Sequence, residues 1–193
     1  MVIGIVLCLI GFQMKREDIT PEILRELLDY NPETGILTWE EREVKWFKTE
    51  RSSKVWNTRY AGKIASSNHG DGYKKLHVFD MGFKTHRVAY TLYHGKWPDN
   101  YIDHINGIPT DNRIENLRDV TPEENAKNLA VNKRHPSGIY GVHFNSLHNT
   151  WRANIKGKHL GSFEDKEDAI KARKEAEVKY GYHENHGRMK SGD

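Results

Sequence analysis

The sequence predicts an α+β fold, and two features carry that expectation. A short apolar strand carrying Asp103 and His104, and a returning strand at Leu117–Val120, precede a helix start and make a ββα unit. Farther on, three short strands between Ile139 and Phe163 precede a helix from about Lys166 to Tyr180, the pattern of a small three-stranded antiparallel sheet packed on one helix.

The chain has 193 residues, enough for one large domain or two small ones. Hydrophobic residues make up 36% and charged residues 30%, so any single core is modest. Cys8 is the one cysteine, which excludes a disulfide framework and a cysteine zinc site. The net charge of +3 says little about partners until its distribution is known. Residues 1–13 are apolar but short for a membrane span, and they lack the basic start of a secretory signal. They read as a start-site artefact ahead of Met14, with a membrane anchor as the other reading. No membrane partner and no obligate protein partner is implied, and a reducing, cytoplasmic setting is the expectation.

In chain order, Ile19 to Tyr30 is expected to be a helix, with Thr20 as cap, Pro21 in the first turn, and Ile23, Leu24, Leu27 and Leu28 as its apolar stripe. Asn31-Pro32-Glu33-Thr34-Gly35 is a turn and Ile36 to Trp39 a short strand. Glu40 to Arg59 has no clear period and reads as a long loop or partial helix. Ala61 to Ala65 and Tyr73 to Phe79 are expected strands, the second ended by a turn at Asp80-Met81-Gly82. Thr85 to His94 is a helix with Val88, Ala89 and Leu92 inward, closed by Gly95 to Asp99. The ββα unit completes a module over 14–130, and 131–136 is a linker.

The second module covers 137–182, with strands at Ile139–Phe144, Trp151–Ile155 and His159–Phe163. Ala169, Ile170, Arg173, Ala176 and Val178 partly define the inner face of its helix. Residues 183–193 read as a tail in which His183 and His186 lack enough partners for zinc. Asn125 to Phe163 contains no acidic residue, although Lys127, Lys133, Arg134, Arg152, Lys156 and Lys158 fall inside it. A solvated face usually mixes signs, so this asymmetry points to an anionic partner.

The chemistry concentrates in Tyr101 to Asn128. Asp103 and His104 are strand neighbours and ordinarily point to opposite faces. Asn106-Gly107 directly after them ends the strand, which lets both serve one site. Asp103 is then a monodentate oxygen ligand and His104 a base within reach of a water. Asn116 follows beyond the Pro109 to Arg113 loop, placed for its amide oxygen to accept from the imidazole and fix its tautomer. Thr121-Pro122-Glu123-Glu124 starts a helix with a capping hydroxyl, a first-turn proline and an acid three positions after the cap. Asn125 lies near the top of that helix, where its amide oxygen can reach a metal. Two hard oxygen ligands suit Mg2+ or Mn2+ rather than structural zinc. Such equipment hydrolyses phosphodiesters: His104 activates water, and a cation on Asp103 and Asn125 stabilises the phosphate and the departing 3′ oxygen. The products are 5′-phosphate and 3′-hydroxyl ends.

The string D-H-I-N-G, D-N-R-I-E-N-L-R, T-P-E-E-N-A-K-N resembles the HNH endonucleases of the phage and intron-homing type, with a ββα-metal core. The resemblance implies His104 as base, Asn116 as the orienting asparagine, and Asp103 with Asn125 as metal ligands. Many branches have histidine at the last position, and Asn128 is a rival for the second ligand. Thr85-His86-Arg87 and N-P-E-T-G-I-L-T-W also resemble this group. His86 reads either as a site residue or as a core histidine, and Arg87 as a phosphate contact or a solvated residue.

Residues 137–180 resemble the Apetala/ethylene-response-factor DNA-binding domain, through G-I-Y-G-V, W-R-A-N-I, L-G-S-F and D-A-I. A narrow antiparallel sheet fits the major groove. Alternation puts Trp151, Ala153 and Ile155 on one face and Arg152, Asn154 and Lys156 on the other. If the second face meets DNA, Arg152 reads a guanine edge, Lys156 binds phosphate and Trp151 is core; in the family it resembles, both aromatic and basic residues of these strands approach DNA, which makes Trp151 a DNA-contact candidate as well. His143, Asn145 and Lys158 are further candidates. The sheet lacks the paired stacking aromatics of RNA modules. The expectation is a metal-dependent endonuclease docked on double-stranded DNA, the alternative a non-catalytic DNA-binding protein with a decayed nuclease core.

Overall fold

The computed structural model describes residues 14–128 and 137–188. The apolar segment 1–13, the linker at 131–136 and the end of the tail lie outside the described residues. The chain packs as two compact units. The first takes the described residues up to His104 together with Ile108–Asp119, and the second takes Ile105–Gly107 and the described residues from Val120 onward. The boundary therefore falls inside the ββα string, after its second strand has begun.

In the first unit, α1 (Pro21–Leu27) is shorter than the sequence suggests. Thr20 caps it, but the chain turns extended at Leu28, and β1 (Leu28–Asn31) pairs antiparallel with β2 (Ile36–Trp39). The stripe Leu24, Leu27, Leu28 is buried throughout, so burial alone does not reveal where helix gives way to strand. Asn31 Oδ1 accepts from the backbone of Glu33 and Thr34, which folds the hairpin turn. Glu40 to Arg59 resolves into a single 3-10 turn at Val44–Trp46 and α2 (Glu50–Tyr60), started by a Thr49–Ser52 capping box. The expected strand at 61–65 reduces to one bridge, Thr38 to Ile64, beside the two-residue β3 (Ser67–Asn68).

β4 (Lys74–Val78) turns back at Phe79-Asp80 into β5 (Met81–Lys84). Both turn residues have positive φ, 48° and 64°, so the reversal comes earlier than the expected Asp80-Met81-Gly82 turn, and Met81 and Gly82 belong to a strand. α3 (Thr85–His94) has the expected bounds, with Val88 and Ala89 buried and Gly95 closing it in the left-handed conformation at φ 72°. β6 (Tyr101–His104) pairs with β7 (Leu117–Val120). The core gathers Leu24, Leu27, Leu37, Leu76, Val78, Phe83 and Val88.

The second unit starts its first helix, α4 (Pro122–Ala126), with a Thr121–Glu124 capping box. β8 (Val142–Asn145), β9 (Thr150–Ile155) and β10 (Lys158–Phe163) form an antiparallel sheet with β9 in the centre. α5 (Lys166–Lys179) packs on it around Val142, Ala153 and Ala169. The helix face departs from the expected one: Arg173 and Glu177 are buried and Val178 is 82% exposed. Arg173 Nε donates to Glu177 Oε1 at 2.9 Å and Nη1 to the Asn154 carbonyl, so the buried cation is paired. The described part of the tail also packs here. His186 is buried beside Glu177, with ring contacts to Tyr140 and Tyr182.

Candidate active site

Ile102, Asp103 and His104 are all buried on β6, so both faces of this short strand are covered. Asp103 engages Arg118 of β7: Oδ2 accepts from Nε at 3.0 Å and from Nη2 at 2.7 Å. The two-donor grip fixes the carboxylate rotamer. His104 meets other partners. Its ring lies edge-to-face on His86, with centroids 5.0 Å apart, and 6.0 Å from the ring of Tyr73, which also contacts His86.

His104 Nε2 lies 3.2 Å from Asn112 Oδ1. A carbonyl oxygen only accepts, so this bond puts the imidazole proton on Nε2 and makes Nδ1 the basic nitrogen. Asn112 is 1% exposed, and spacing along the sequence does not single it out. Asn116, the expected acceptor, is also buried, and its Nδ2 donates to the Asp111 carbonyl at 2.8 Å, bracing the loop that carries Asn112.

The β1–β2 hairpin holds the same loop from the other side. Tyr30 Oη donates to the Asn112 carbonyl at 2.8 Å, and the Ile114 amide donates to the Pro32 carbonyl at 3.1 Å. Gly35, at φ 70°, packs so close that an added Cβ would stand 2.5 Å from the Arg113 nitrogen. Only glycine satisfies both that φ and that approach. The N-P-E-T-G string thus has a mechanical role: it positions the partner of the histidine.

Burial pushes the His104 imidazole below its ordinary range, against the opposing pull of its Asn112 bond and of Asp103 and Asp111. Burial pushes His86 further, to about 3, with His104, Lys84 and Arg87 adding to the shift. Both rings are therefore neutral at neutral pH, the form a general base needs.

The remaining residues divide. Arg87 donates from Nη1 to the Asn100 carbonyl at 2.7 Å and from Nη2 to the Pro98 carbonyl at 3.1 Å, bracing the segment after α3. Asn125 is half-buried on α4, in the second unit. Its rival Asn128 is 2% exposed, and both its backbone and side-chain oxygens accept from Arg188 Nη1, at 2.7 and 3.0 Å. Among the described residues no group of three or more His, Cys, Asp or Glu side chains forms a metal cage.

On the second unit's sheet, register puts His143, Arg152 and Ser162 in one row. Asn154 and His159 make the next, with His159 Nδ1 3.2 Å from Asn154 Oδ1. Trp151 packs against the sheet–helix core and against Phe144, so it sits with Ala153 as alternation predicts. Lys156 lies in the β9–β10 turn at φ 47°, beyond the strand. Lys158 stands opposite Ile155 with its Nζ 5.6 Å from the Tyr180 ring centre, on the helix side of the sheet rather than in the Arg152 row.

Comparison with known proteins falls on the same residues. The family model described as HNH endonuclease matches residues 83–127, from the end of β5 to just past α4. "Uncharacterized HNH endonuclease L247" of Acanthamoeba polyphaga mimivirus is 31% identical over 155 residues, 72% of this chain and 36% of that protein. "Protein 3.8" of Escherichia phage T7 is 36% identical over 55 residues, 28% of this chain and 46% of that protein. The chain spans less than half the length of either relative. No solved structure matches it significantly. Among the described residues no helix is long and apolar enough to cross a membrane. His104, Asn112, Asn116 and Asp103 thus all lie inside the segment that matches the HNH endonuclease family model.

Proposed function

We propose that this chain is a metal-dependent DNA endonuclease that hydrolyses phosphodiester bonds to 5′-phosphate and 3′-hydroxyl ends. The observation that carries the reading is the buried, neutral His104, oriented through Nε2 by Asn112, inside the segment matching the HNH endonuclease model. His104 takes a proton from the attacking water at Nδ1. Asn112 holds the tautomer, and Asn116 and the β1–β2 hairpin hold Asn112.

Asp103 and Asn125 offer a carboxylate and an amide oxygen, a hard donor set that fits Mg2+ or Mn2+, ions that keep much of their water and take phosphate oxygens as further ligands. Both Arg118 bonds go to Asp103 Oδ2 and hold the carboxylate in one orientation. When bound, the cation supplies charge stabilisation of the phosphate and the leaving oxygen. The choice of Asn125 rests on the sequence string and on the engagement of Asn128 with Arg188.

The second unit, which resembles the Apetala/ethylene-response-factor domain in sequence, docks double-stranded DNA through the His143, Arg152 and Asn154 face, with Lys156 on a phosphate. The viral relatives accord with action in a host cytoplasm. Incubation of supercoiled plasmid with the purified chain and Mg2+, beside His104→Ala, tests the reading. Metal-dependent strand breakage abolished by the variant supports it; retardation without breakage in Mg2+ and Mn2+ leaves a DNA-binding protein.

A further inference from the structure

The first unit carries a basic cleft that the nuclease reading leaves unassigned. It encloses about 680 Å³ and is lined by Arg16, Lys75, His77, Lys84 and Arg87, among others, with Glu17 as its one carboxylate. Phe83 and Trp97, stacked with centroids 5.7 Å apart, form its apolar wall.

The β4–β5 hairpin supplies its charge by simple alternation. Leu76, Val78 and Phe83 are buried, so Lys75 and His77 on β4 and Lys84 on β5 share the outer face. The register puts Lys75 directly opposite Lys84. Like charges facing each other across an antiparallel pair are destabilising. Lys75 is partly compensated by Asp71, whose Oδ2 is 3.3 Å from Nζ, and it also lies 3.0 Å from His69 Nδ1. Lys84 has no carboxylate partner among the described residues; its Nζ sits 4.1 Å from the centre of the Tyr73 ring. Arg16 reaches the same strand, donating from Nη2 to the Gly82 carbonyl and lying over Phe83. Lys84 also precedes α3, which starts without a side-chain cap and without an acid in its first turn, so the helix dipole adds to the positive potential.

Two opposed lysines, of which only Lys75 has a carboxylate beside it, and two nearby arginines suit a ligand with charges spaced along it. We propose that this face is a second DNA-docking surface, holding successive phosphates of one strand of duplex DNA on the catalytic unit itself. Its position follows from Tyr73, which underlies Lys84 and contacts the rings of both His86 and His104. A phosphate on Lys84 therefore lies one side chain away from the base. This assignment rests on the nuclease reading for its purpose, though not for its chemistry.

The test uses the full chain and a short fluorescein-labelled duplex, with anisotropy read at several salt concentrations without divalent metal. Lys75→Gln/Lys84→Gln is compared with Lys54→Gln/Lys63→Gln, which removes the same charge away from the cleft. The cleft variant is expected to weaken binding alike on unrelated sequences and to lower the log–log salt slope by about 2, one for each phosphate that a substituted lysine no longer neutralises. Its thermal midpoint is expected to be no lower than that of the unsubstituted chain, because the repulsion between the two lysines is gone. A salt slope equal to that of the control variant overturns the proposal. So does a weakening seen with duplex RNA and absent with duplex DNA. Metal-dependent plasmid cleavage by the unsubstituted chain is scored separately. A slope change in a chain that never cleaves upholds the surface and removes the nuclease, whereas cleavage with an unchanged slope removes only the surface.

Discussion

His86 and His104 meet edge-to-face, their rings at 89° and both residues shut from solvent. The pair joins the end of β5 and the start of α3 to the end of β6. Protonating either ring places a charge against its neighbour in a site with little water to screen it. Burial favours the neutral form of both rings.

Acid sensitivity follows. His86 is held at about 3 in the folded chain against an ordinary value of 6.5. Between those values the unfolded chain binds a proton at this residue and the folded chain does not, so stability falls as pH falls through the window. Each such group contributes a slope of up to about 1.4 kcal/mol per pH unit. Denaturant unfolding between pH 7 and 4 is expected to show that loss. His86→Phe is expected to reduce the slope by one proton's worth, and an unchanged slope refutes the assignment of the acid-labile group.

Asn112→Ala is expected to lower the cleavage rate by roughly a hundredfold, the scale of positioned general-base catalysis. The residue touches no substrate, so its role must be read through His104. The variant is expected to shift the pH profile of cleavage, because the bond that favours the protonated ring is removed. A rate loss with an unmoved profile makes Asn112 a folding residue only.

Arg118→Met leaves the Asp103 carboxylate, 9% exposed, without its two donors. The expected cost is about 1–3 kcal/mol in denaturant unfolding. Arg118→Met/Asp103→Asn is expected to recover part of it, since removing both partners is less costly than stranding one charge. Equal losses in the single and double variants contradict the clamp.

Arg152→Ala is expected to weaken DNA binding and lower the salt slope by about 1, leaving cleavage at saturating protein unchanged. Unchanged affinity at moderate salt assigns docking elsewhere than the second unit's sheet.

Elements with local signals were legible in the sequence. The Thr121 capping box, the Thr85–His94 helix and the alternation of Trp151, Ala153 and Ile155 each need only near neighbours to form. Elements fixed by distant partners were not. Leu28 to Asn31 continues an apolar helical stripe and becomes a strand because Ile36 to Trp39 pairs with it. The Phe79-Asp80 turn uses non-glycine residues at positive φ, which carry no glycine signal. Asn112 was hidden for the same reason as the first strand. Several asparagines lie between His104 and α4, and the backbone contacts of Tyr30, Pro32 and Gly35, far back in the chain, decide which one faces the imidazole. Val178 shows the opposite error: an apolar residue at helical spacing that faces solvent while Arg173 and Glu177 occupy the interior as a pair.

Strand breakage in supercoiled plasmid decides whether His104 serves as the base of a nuclease. Nicked or linear product is expected with Mg2+, none with chelator, and none from His104→Ala while that variant still retards the plasmid. Breakage that persists in His104→Ala, or intact plasmid from the unsubstituted chain in both Mg2+ and Mn2+, contradicts that role.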